Sequence, residues 1–127
     1  MPTLYAASPC FAVPDIGITI RWYEEKLGFN SDPFPEAEPY VFAILFRDGV
    51  EIMLQRIEDY VKPDLYARRG GGVWDAYLRV IGLKEFYDSV LERVTIIKPL
   101  RQQPYGAWEF EVTDPNGYVL VFSEMVD

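Results

Sequence analysis

The side chains that could perform chemistry in this chain are mainly carboxylates, because its 127 residues include no histidine. Histidine is the commonest general base near neutral pH and the commonest metal ligand in proteins. Its absence excludes Ser-His-Asp and Cys-His nucleophile arrangements. The one cysteine, Cys10, precedes Phe11 in an apolar segment, where we expect a small buried hydrophobe. The composition therefore favours ligand binding over catalysis, and no catalytic set can be named.

Two carboxylates, Glu51 and Asp75, lie in segments where apolar and polar residues alternate as in half-buried strands. The apolar positions are Ile52, Leu54, Ala76, Leu78, Val80, Leu120 and Phe122. The alternate positions are Glu51, Met53, Gln55, Asp75, Tyr77, Arg79, Val119 and Val121. This mixture is typical of a pocket lining, although a solvated face alternates in the same way. If Glu51 and Asp75 converge, they form either an acid/base pair or an ionised polar cleft.

Two helices are predicted from apolar residues at helical spacing. The first begins after Asp15, whose carboxylate can accept from free backbone N–H groups, and ends at Gly28. The second follows Gly82 and carries its apolar side chains on one face. Those side chains are Leu83, Phe86, Val90, Leu91 and Val94.

The two helices belong to an internal repeat. The aromatic pair and leucine of the first helix recur 64 positions later, from Trp22-Tyr23 and Leu27 to Phe86-Tyr87 and Leu91. A repeat of this length indicates two copies of one supersecondary unit, each with the order β-α-β-β-β. A flexible glycine-rich boundary is predicted at residues 68–72.

Strand patterns fit the same division. The predicted strands span residues 8–13, 40–46 and 50–55 in the first half, and 73–80, 95–97, 108–113 and 118–123 in the second. Asp48-Gly49 and the run from Asp114 to Gly117 are hairpin signals. Segments 32–39 and 57–69 are interpreted as longer excursions that could edge a cleft.

The charge and cysteine content narrow the partners and the location. Twenty acidic and twelve basic residues give a net charge of −8, which repels nucleic acid and anionic membranes. This acidity serves either solubility alone or an acidic cleft for a cationic ligand. No apolar run has the length of a membrane helix, and residues 1–15 lack the basic region typical of a secretory signal, so we expect no such signal. With one cysteine an intramolecular disulfide is impossible, so we expect a cytoplasmic protein.

With these motifs placed, the chain resembles the vicinal oxygen chelate superfamily, which includes glyoxalase I, extradiol dioxygenases and the bleomycin resistance proteins. The matching stretches are Val13–Ile16, Trp22–Phe29 and Asp114–Leu120. The resemblance implies an α+β fold of two βαβββ modules, with mixed sheets forming a cup and helices on its convex side. It implies one domain over residues 1–127, with modules of about 1–68 and 72–127.

The resemblance also locates the four strand positions that hold metal ligands in the superfamily's enzymes. In this chain they are Ser8, Glu51, Asp75 and Val121. Valine cannot coordinate a metal and a neutral serine hydroxyl is a poor ligand, so we expect no metal and no cofactor. The two carboxylates could still hold Mg²⁺ or Ca²⁺ with the help of waters or carbonyls. Glu124 could substitute only if the register slipped.

Among the metal-free relatives, the chain looks most like the bleomycin resistance proteins, which are small acidic homodimers that sequester a cationic aromatic drug. The resemblance implies a homodimer that binds a small cationic or aromatic molecule and could confer antibiotic resistance. The predicted ligand-binding residues are Phe42, Glu51, Met53, Asp75, Tyr77, Tyr105 and Trp108. Glu109 or Glu111 could add negative charge. The alternatives are a lyase, isomerase or oxygenase with a carboxylate-held metal, a metal-free acid/base enzyme, and a dimer without a pocket.

Overall fold

A computed structural model describes residues 1–125 of the chain. It contains two four-stranded mixed sheets and three helices. The elements are β1 Cys10–Val13, α1 Ile16–Leu27, β2 Asn30–Phe34, β3 Phe42–Arg47, β4 Val50–Arg56, α2 Leu65–Arg69, β5 Ala76–Arg79, α3 Leu83–Val90, β6 Thr95–Gln102, β7 Ala107–Thr113 and β8 Val119–Met125. The sheet orders β1-β4-β3-β2 and β5-β8-β7-β6 are the same topology used twice, with the first strand of each module parallel to its neighbour. The predicted α+β fold of two βαβββ modules is confirmed.

The first helix has the predicted ends. Asp15 accepts a hydrogen bond of 3.0 Å from the Ile18 N–H, which supplies the capping interaction that the sequence indicates. Gly28 adopts φ 70°, a left-handed conformation that favours glycine, and stops the helix there. α3 begins at Leu83 as expected but ends at Val90, so Leu91 and Val94 lie beyond its regular turns.

Successive side chains along each strand lie on opposite faces of its sheet. Ile52, Leu54, Ala76 and Leu78 are buried, as predicted for a face covered by helices. α1 contacts β2, β3 and β4, and α3 contacts β8. β8 differs from the pattern, since its alternate positions Val119, Val121 and Ser123 are buried too. The side of β8 that faces away from α3 is therefore covered as well, although alternation alone predicts an open one.

One hydrophobic core joins the two modules. The Phe11 ring on β1 stacks on Tyr118 beside β8, with the ring centroids 4.1 Å apart. The Tyr118 hydroxyl donates a hydrogen bond of 2.6 Å to the carbonyl oxygen of Ala12. Burial raises the pKa of Tyr118 to about 12, so this phenol keeps its proton and acts as a donor. The modules are therefore held together by apolar packing and by specific polar contacts.

Several sequence-based boundaries need correction. The segment predicted as an excursion over residues 32–39 contributes to β2, and the one over 57–69 contains α2. β6 extends to Gln102, beyond the predicted end at residue 97, and β5 covers only four residues. Cys10 is exposed and not buried, because it begins an edge strand and points away from the face that holds Phe11. Within residues 1–125, no helix has the length and apolar content needed to cross a bilayer.

Candidate functional site

The candidate site lies on the sheet faces opposite those that pack against α1 and α3. In the second sheet the rings of Phe110 and Phe122 pack against Phe86 of α3, so this side of β7 and β8 is the helix side. Strand register places Glu109 beside Ser123, and Glu111 beside Val121. We call this opposite side the inner face of the second sheet, defined by Tyr77, Lys98, Arg101, Glu109, Glu111, Val121 and Ser123.

The inner face of the first sheet follows from register in the same way. Phe42 pairs with Gln55, Ile44 with Met53, and Phe46 with Glu51, so these side chains share one face. The opposite face holds the buried Ala43, Leu45, Ile52 and Leu54. Two predicted site residues, Phe42 and Met53, are half-buried on this inner face, and Glu51 is exposed at its end.

A cavity of about 400 Å³ lies where β4 meets β5, between the two modules. It is lined by Ala7, Pro9, residues 49–51 and residues 75–79. The structure therefore brings together three predicted site residues from different modules: Glu51, Asp75 and Tyr77. The Tyr77 ring contributes an aromatic side chain to this cavity, and the Trp74 ring lies beside it, with the ring centroids 5.4 Å apart.

A second cavity, of about 830 Å³, adjoins the first and shares Gly49, Val50, Leu78 and Arg79 with it. It opens between the β3–β4 turn and the segment that leads into α3. Its floor is made by Phe29, Phe86 and Phe122, which belong to the helix side of the modules or pack against it. Arg47 on its wall donates to the Leu27 carbonyl at 2.6 Å and covers the Phe86 ring at 5.2 Å. We regard it as a gap between the helix layers.

The Asp75 carboxylate has internal partners. Its Oδ2 accepts a hydrogen bond of 2.8 Å from the Val119 N–H and lies 3.3 Å from Nζ of Lys62. The Lys62 ammonium also covers the Tyr118 ring at 5.3 Å. Asp75 therefore fixes the start of β5 against β8, and Lys62 offsets much of its charge toward the cavity.

Glu109 is the most enclosed acid of the inner face, with an exposed fraction of 0%. Its Oε2 accepts hydrogen bonds of 2.6 Å from the hydroxyls of both Tyr77 and Tyr105. The Tyr77 hydroxyl also lies 2.7 Å from Oγ of Ser123. Burial, followed by the hydrogen bond to Glu109, raises the pKa of both tyrosines, so both stay protonated donors at neutral pH. Oε1 of Glu109 has no hydrogen-bond partner within residues 1–125.

Glu111, two residues further along β7, is equally enclosed but has a countercharge. Its Oε2 lies 2.9 Å from Nη2 of Arg101, an arginine that also donates at 3.3 Å to the backbone carbonyl of Glu109. The pKa of Tyr66 on α2 is raised by burial first and then by the negative charge of Glu111, which indicates that α2 approaches this acid. A basic group therefore matches Glu111, whereas Glu109 has no ion pair within 4 Å among the described residues.

Two predicted site residues have other surroundings. Tyr105 lies in the turn between β6 and β7, half-exposed, and is held over the inner face by its bond to Glu109. Trp108 alternates with Glu109 on β7 and pairs with Glu124, so its side chain lies on the helix side of that strand. The structure thus groups Tyr105 with Tyr77 and separates Trp108 from both.

The four positions that hold the superfamily's metal ligands have other surroundings in this chain. Ser8 precedes β1, Val121 is fully buried, and Asp75 is engaged by Lys62. Within residues 1–125, no three His, Cys, Asp or Glu side chains group as a metal ion would require. Glu124 accepts from the N–H groups of Leu83 and Gly82, which hold its pKa below the usual value, so it caps α3.

Some residues of the site were not singled out from the sequence. Ser123, Arg101 and Lys62 acquire their roles only through contacts between distant strands and loops. The sequence does contain a signal for the acids of this site. Glu109 and Glu111 alternate with Phe110 and Val112, and acids in a strand with an apolar opposite face often lie in a polar pocket or cleft.

No protein-family model matches the sequence, and no curated protein matches it either. Solved structures do match. A glyoxalase-related enzyme from Clostridium phytofermentans is 19% identical with a TM-score of 0.77, over 98% of each chain. The bleomycin-binding protein of Streptomyces verticillus, in complex with copper(II)-bleomycin, is 21% identical with a TM-score of 0.71, over 96% of this chain and 97% of that one.

A superfamily member from Sphaerobacter thermophilus is 25% identical with a TM-score of 0.72, over 96% of this chain and 98% of that chain. These matches cover nearly the whole chain, and they agree with the duplicated βαβββ topology described above. The resemblance predicted from the sequence motifs is confirmed at the level of the fold. The chain has the fold of the glyoxalase/bleomycin resistance protein/dioxygenase superfamily.

Proposed function

We propose that this protein binds a small cationic or aromatic molecule in the cavity between β4 and β5 and performs no chemistry on it. The observation that carries the proposal is the meeting of Glu51 and Tyr77, from different modules, in one cavity of about 400 Å³. The Glu51 carboxylate has no ion pair within 4 Å in the described part of the chain, so its charge is available to a ligand. Tyr77 and the adjacent Trp74 add aromatic faces that attract flat rings and cations.

The likeness to the bleomycin-binding protein supports sequestration as the biological role, and with it drug tolerance. Phe42 and Met53 would extend the binding surface along the inner face of the first sheet. Tyr105 would extend it along the second. A cytoplasmic location is part of the proposal and fits a chain whose one cysteine is a free thiol.

We also propose a homodimer. Beside the ligand-facing Phe42 and Met53, the inner face of the first sheet carries Phe34, Ile44 and Phe46 in register. Phe34 on the edge strand β2 is 64% exposed. A contiguous apolar surface of this kind is typical of an interface between subunits.

A thermal-shift screen with metal-free bleomycin and simpler aromatic cations tests the binding function. A ligand that binds only the folded protein raises the melting temperature by mass action, and salt should weaken a binding that depends on Glu51. Glu51→Gln should reduce the shift for cations. Glu92→Gln, which removes the same charge at an exposed position beyond α3, should leave the shift unchanged. If no aromatic cation shifts the melting temperature, the proposal fails.

The competing function is an enzyme with a metal held by Glu51 and Asp75. Elemental analysis of the purified protein separates the two. We expect no stoichiometric metal, because Asp75 is already engaged by Lys62 and the Val119 N–H. One metal ion per chain that disappears in Glu51→Gln would replace the binding function with the enzymatic one.

A further inference from the structure

Two buried carboxylate oxygens, Oε1 of Glu109 and Oε1 of Glu111, accept no hydrogen bond within residues 1–125, and of these two acids only Glu111 has a countercharge. Glu109 is fully buried, and its Oε1 accepts no hydrogen bond within residues 1–125. A buried carboxylate oxygen without a donor is costly, and such an atom in a folded protein requires an explanation. The other oxygen, Oε2, already accepts from two tyrosine hydroxyls at 2.6 Å. The carboxylate is therefore held in a fixed orientation with one acceptor left open.

The same carboxylate also has an unmatched charge. The other two acids of this region have basic partners, since Asp75 lies 3.3 Å from Lys62 and Glu111 lies 2.9 Å from Arg101. Among the contacts of the described residues, Arg101 reaches Glu109 at its backbone carbonyl and not at its carboxylate. Arg79 shares the row of Glu109 on the sheet but stands two strands away, and it forms no ion pair with Glu109 among the described residues. A cation supplied from outside would complete this part of the inner face.

The surroundings of Glu109 are aromatic and accessible. Tyr77 and Tyr105, which hold its Oε2, are 37% and 55% exposed, and Trp74 beside Tyr77 is 43% exposed. Tyr105 lies in a short hairpin turn with Gly106 at φ 98°, and its hydrogen bond to Glu109 fixes it over the carboxylate. An aromatic rim above a negative group is an arrangement that recognises organic cations.

We infer that Glu109 is the anchor for an N–H-bearing organic cation, that is, an ammonium or guanidinium group on a small aromatic molecule. This inference rests on the proposed binding function and names the class of ligand. The open acceptor at Oε1 requires a donor hydrogen, so a primary ammonium satisfies it and a quaternary ammonium does not. The neighbouring Tyr77 ring, which also lines the cavity between β4 and β5, would contact the aromatic part of the ligand.

Three probes of similar shape test the inference on the native chain: phenethylammonium, its N,N,N-trimethyl derivative and the neutral 2-phenylethanol. Binding is followed by ¹H–¹⁵N NMR titration. We expect phenethylammonium to bind at least about tenfold more tightly than either of the others, a factor that corresponds to about 1.4 kcal/mol. Its shifts should include the Trp74 indole N–H and the backbone amides near Glu109.

Two variants assign the preference to a residue. Glu109→Gln should abolish the preference for the primary over the quaternary ammonium. Glu51→Gln should weaken both cations and leave their ratio unchanged, because it removes long-range attraction and not the N–H acceptor. If the NMR spectrum shows that Glu109→Gln does not fold, the role of Glu109 is decided on the native protein. The two measurements are then the ratio of the probe affinities and the location of the chemical-shift changes.

These experiments distinguish a failure of the role proposed for Glu109 from a failure of the proposed binding function. Equal binding of all three probes, or a preference that survives in Glu109→Gln, overturns the role of Glu109 and leaves the binding function standing. Selective line broadening of the Glu109 amide by Mn²⁺, with no ammonium preference, also overturns the inference, because the open oxygen would then serve a metal. Failure of every probe here and in the thermal-shift screen overturns both proposals.

Discussion

The hydroxyl of Tyr23 on α1 donates a hydrogen bond of 2.7 Å to Oδ2 of Asp114, the residue that opens the β7–β8 turn. Both side chains are buried, and they lie 91 positions apart in the sequence. The other carboxylate oxygen of Asp114 accepts from the N–H groups of Asn116 and Tyr118. Asp114 thus organises a turn of the second module and fastens it to the helix of the first.

Tyr23→Phe should destabilise the fold by about 1–3 kcal/mol, because it leaves Oδ2 of Asp114 buried without its donor. The measurement is the free energy of unfolding in urea. Tyr87→Phe is a suitable control: its ring packs edge-on against Phe110, and its hydroxyl makes no hydrogen bond within residues 1–125. Equal losses of unfolding free energy in the two variants would show that the Tyr23 hydroxyl contributes no more than a hydroxyl without a hydrogen-bond partner.

Asp114 should also give stability a specific pH dependence. Burial raises the pKa of Asp114 above its usual value, against the opposing effect of the hydrogen bond from Tyr23. Because the folded-state pKa lies above the unfolded one, the folded state binds this proton more readily. The contribution of Asp114 is fully favourable below the unfolded pKa of about 4 and is lost as the pH rises through the folded pKa.

The free energy of unfolding of the wild type should therefore rise relative to that of Asp114→Asn as the pH falls from neutral to about 4. Urea unfolding at several pH values measures it. In Tyr23→Phe the pH range over which Asp114 affects stability should move to higher pH, since the hydrogen bond that lowers the Asp114 pKa is gone. If the difference in free energy of unfolding between the wild type and Asp114→Asn stays constant across this pH range, Asp114 is not the source of the pH dependence.

The sequence predicts the elements that local patterns specify. Helix ends follow from Asp15 and Gly28, and strand faces follow from alternation such as Ile52 with Glu51, because capping and burial act over a few residues. Element lengths are less accessible. β6 runs to Gln102 and pairs with β7 through two irregularities in register, and a pairing between strands is not visible in a local sequence pattern.

The sequence places residues 51, 75 and 77 on one face of their strands, and these residues do line one cavity. Its charge balance was not predictable. Lys62 lies in a segment without periodicity and reaches Asp75 through the path of a loop, and Arg101 meets Glu111 only through sheet pairing. Countercharges of this kind depend on three-dimensional contacts, so a net charge of −8 says little about the charge of one cleft.

Removing the countercharge of Glu111 should be costly. Arg101→Met leaves a carboxylate that is 1% exposed without its partner, and we expect a loss of about 3 kcal/mol, toward the low end for buried pairs because Arg101 is partly exposed. The double variant Arg101→Met/Glu111→Gln should recover most of the loss in urea unfolding. Lys84→Met, which breaks the exposed pair with Asp88, should cost no more than about 0.5 kcal/mol. Equal losses at Arg101 and Lys84 would contradict the role of burial.

The proposed homodimer is tested at its exposed edge. Phe34→Glu should weaken self-association at least about tenfold, because burying a phenylalanine contributes about 1.5–3 kcal/mol and a buried charge opposes it. Light scattering over a range of concentrations gives the dissociation constant. Ile81→Glu makes a comparable change at a fully exposed residue before α3 and should leave the constant unaffected. A chain that is monomeric at every concentration would exclude the dimer.

The ion pair between Lys62 and Asp75 should limit how strongly the cavity attracts cations. Asp75 lines the cavity, and the ammonium of Lys62, 3.3 Å away, offsets its charge. Lys62→Met should therefore tighten the binding of an aromatic cation such as phenethylammonium and make it more sensitive to salt, because an additional unscreened carboxylate faces the ligand. The neutral analogue 2-phenylethanol should bind with unchanged affinity. Titration calorimetry at low and high salt measures both, and weaker cation binding in Lys62→Met would mean that Lys62 itself supports the ligand.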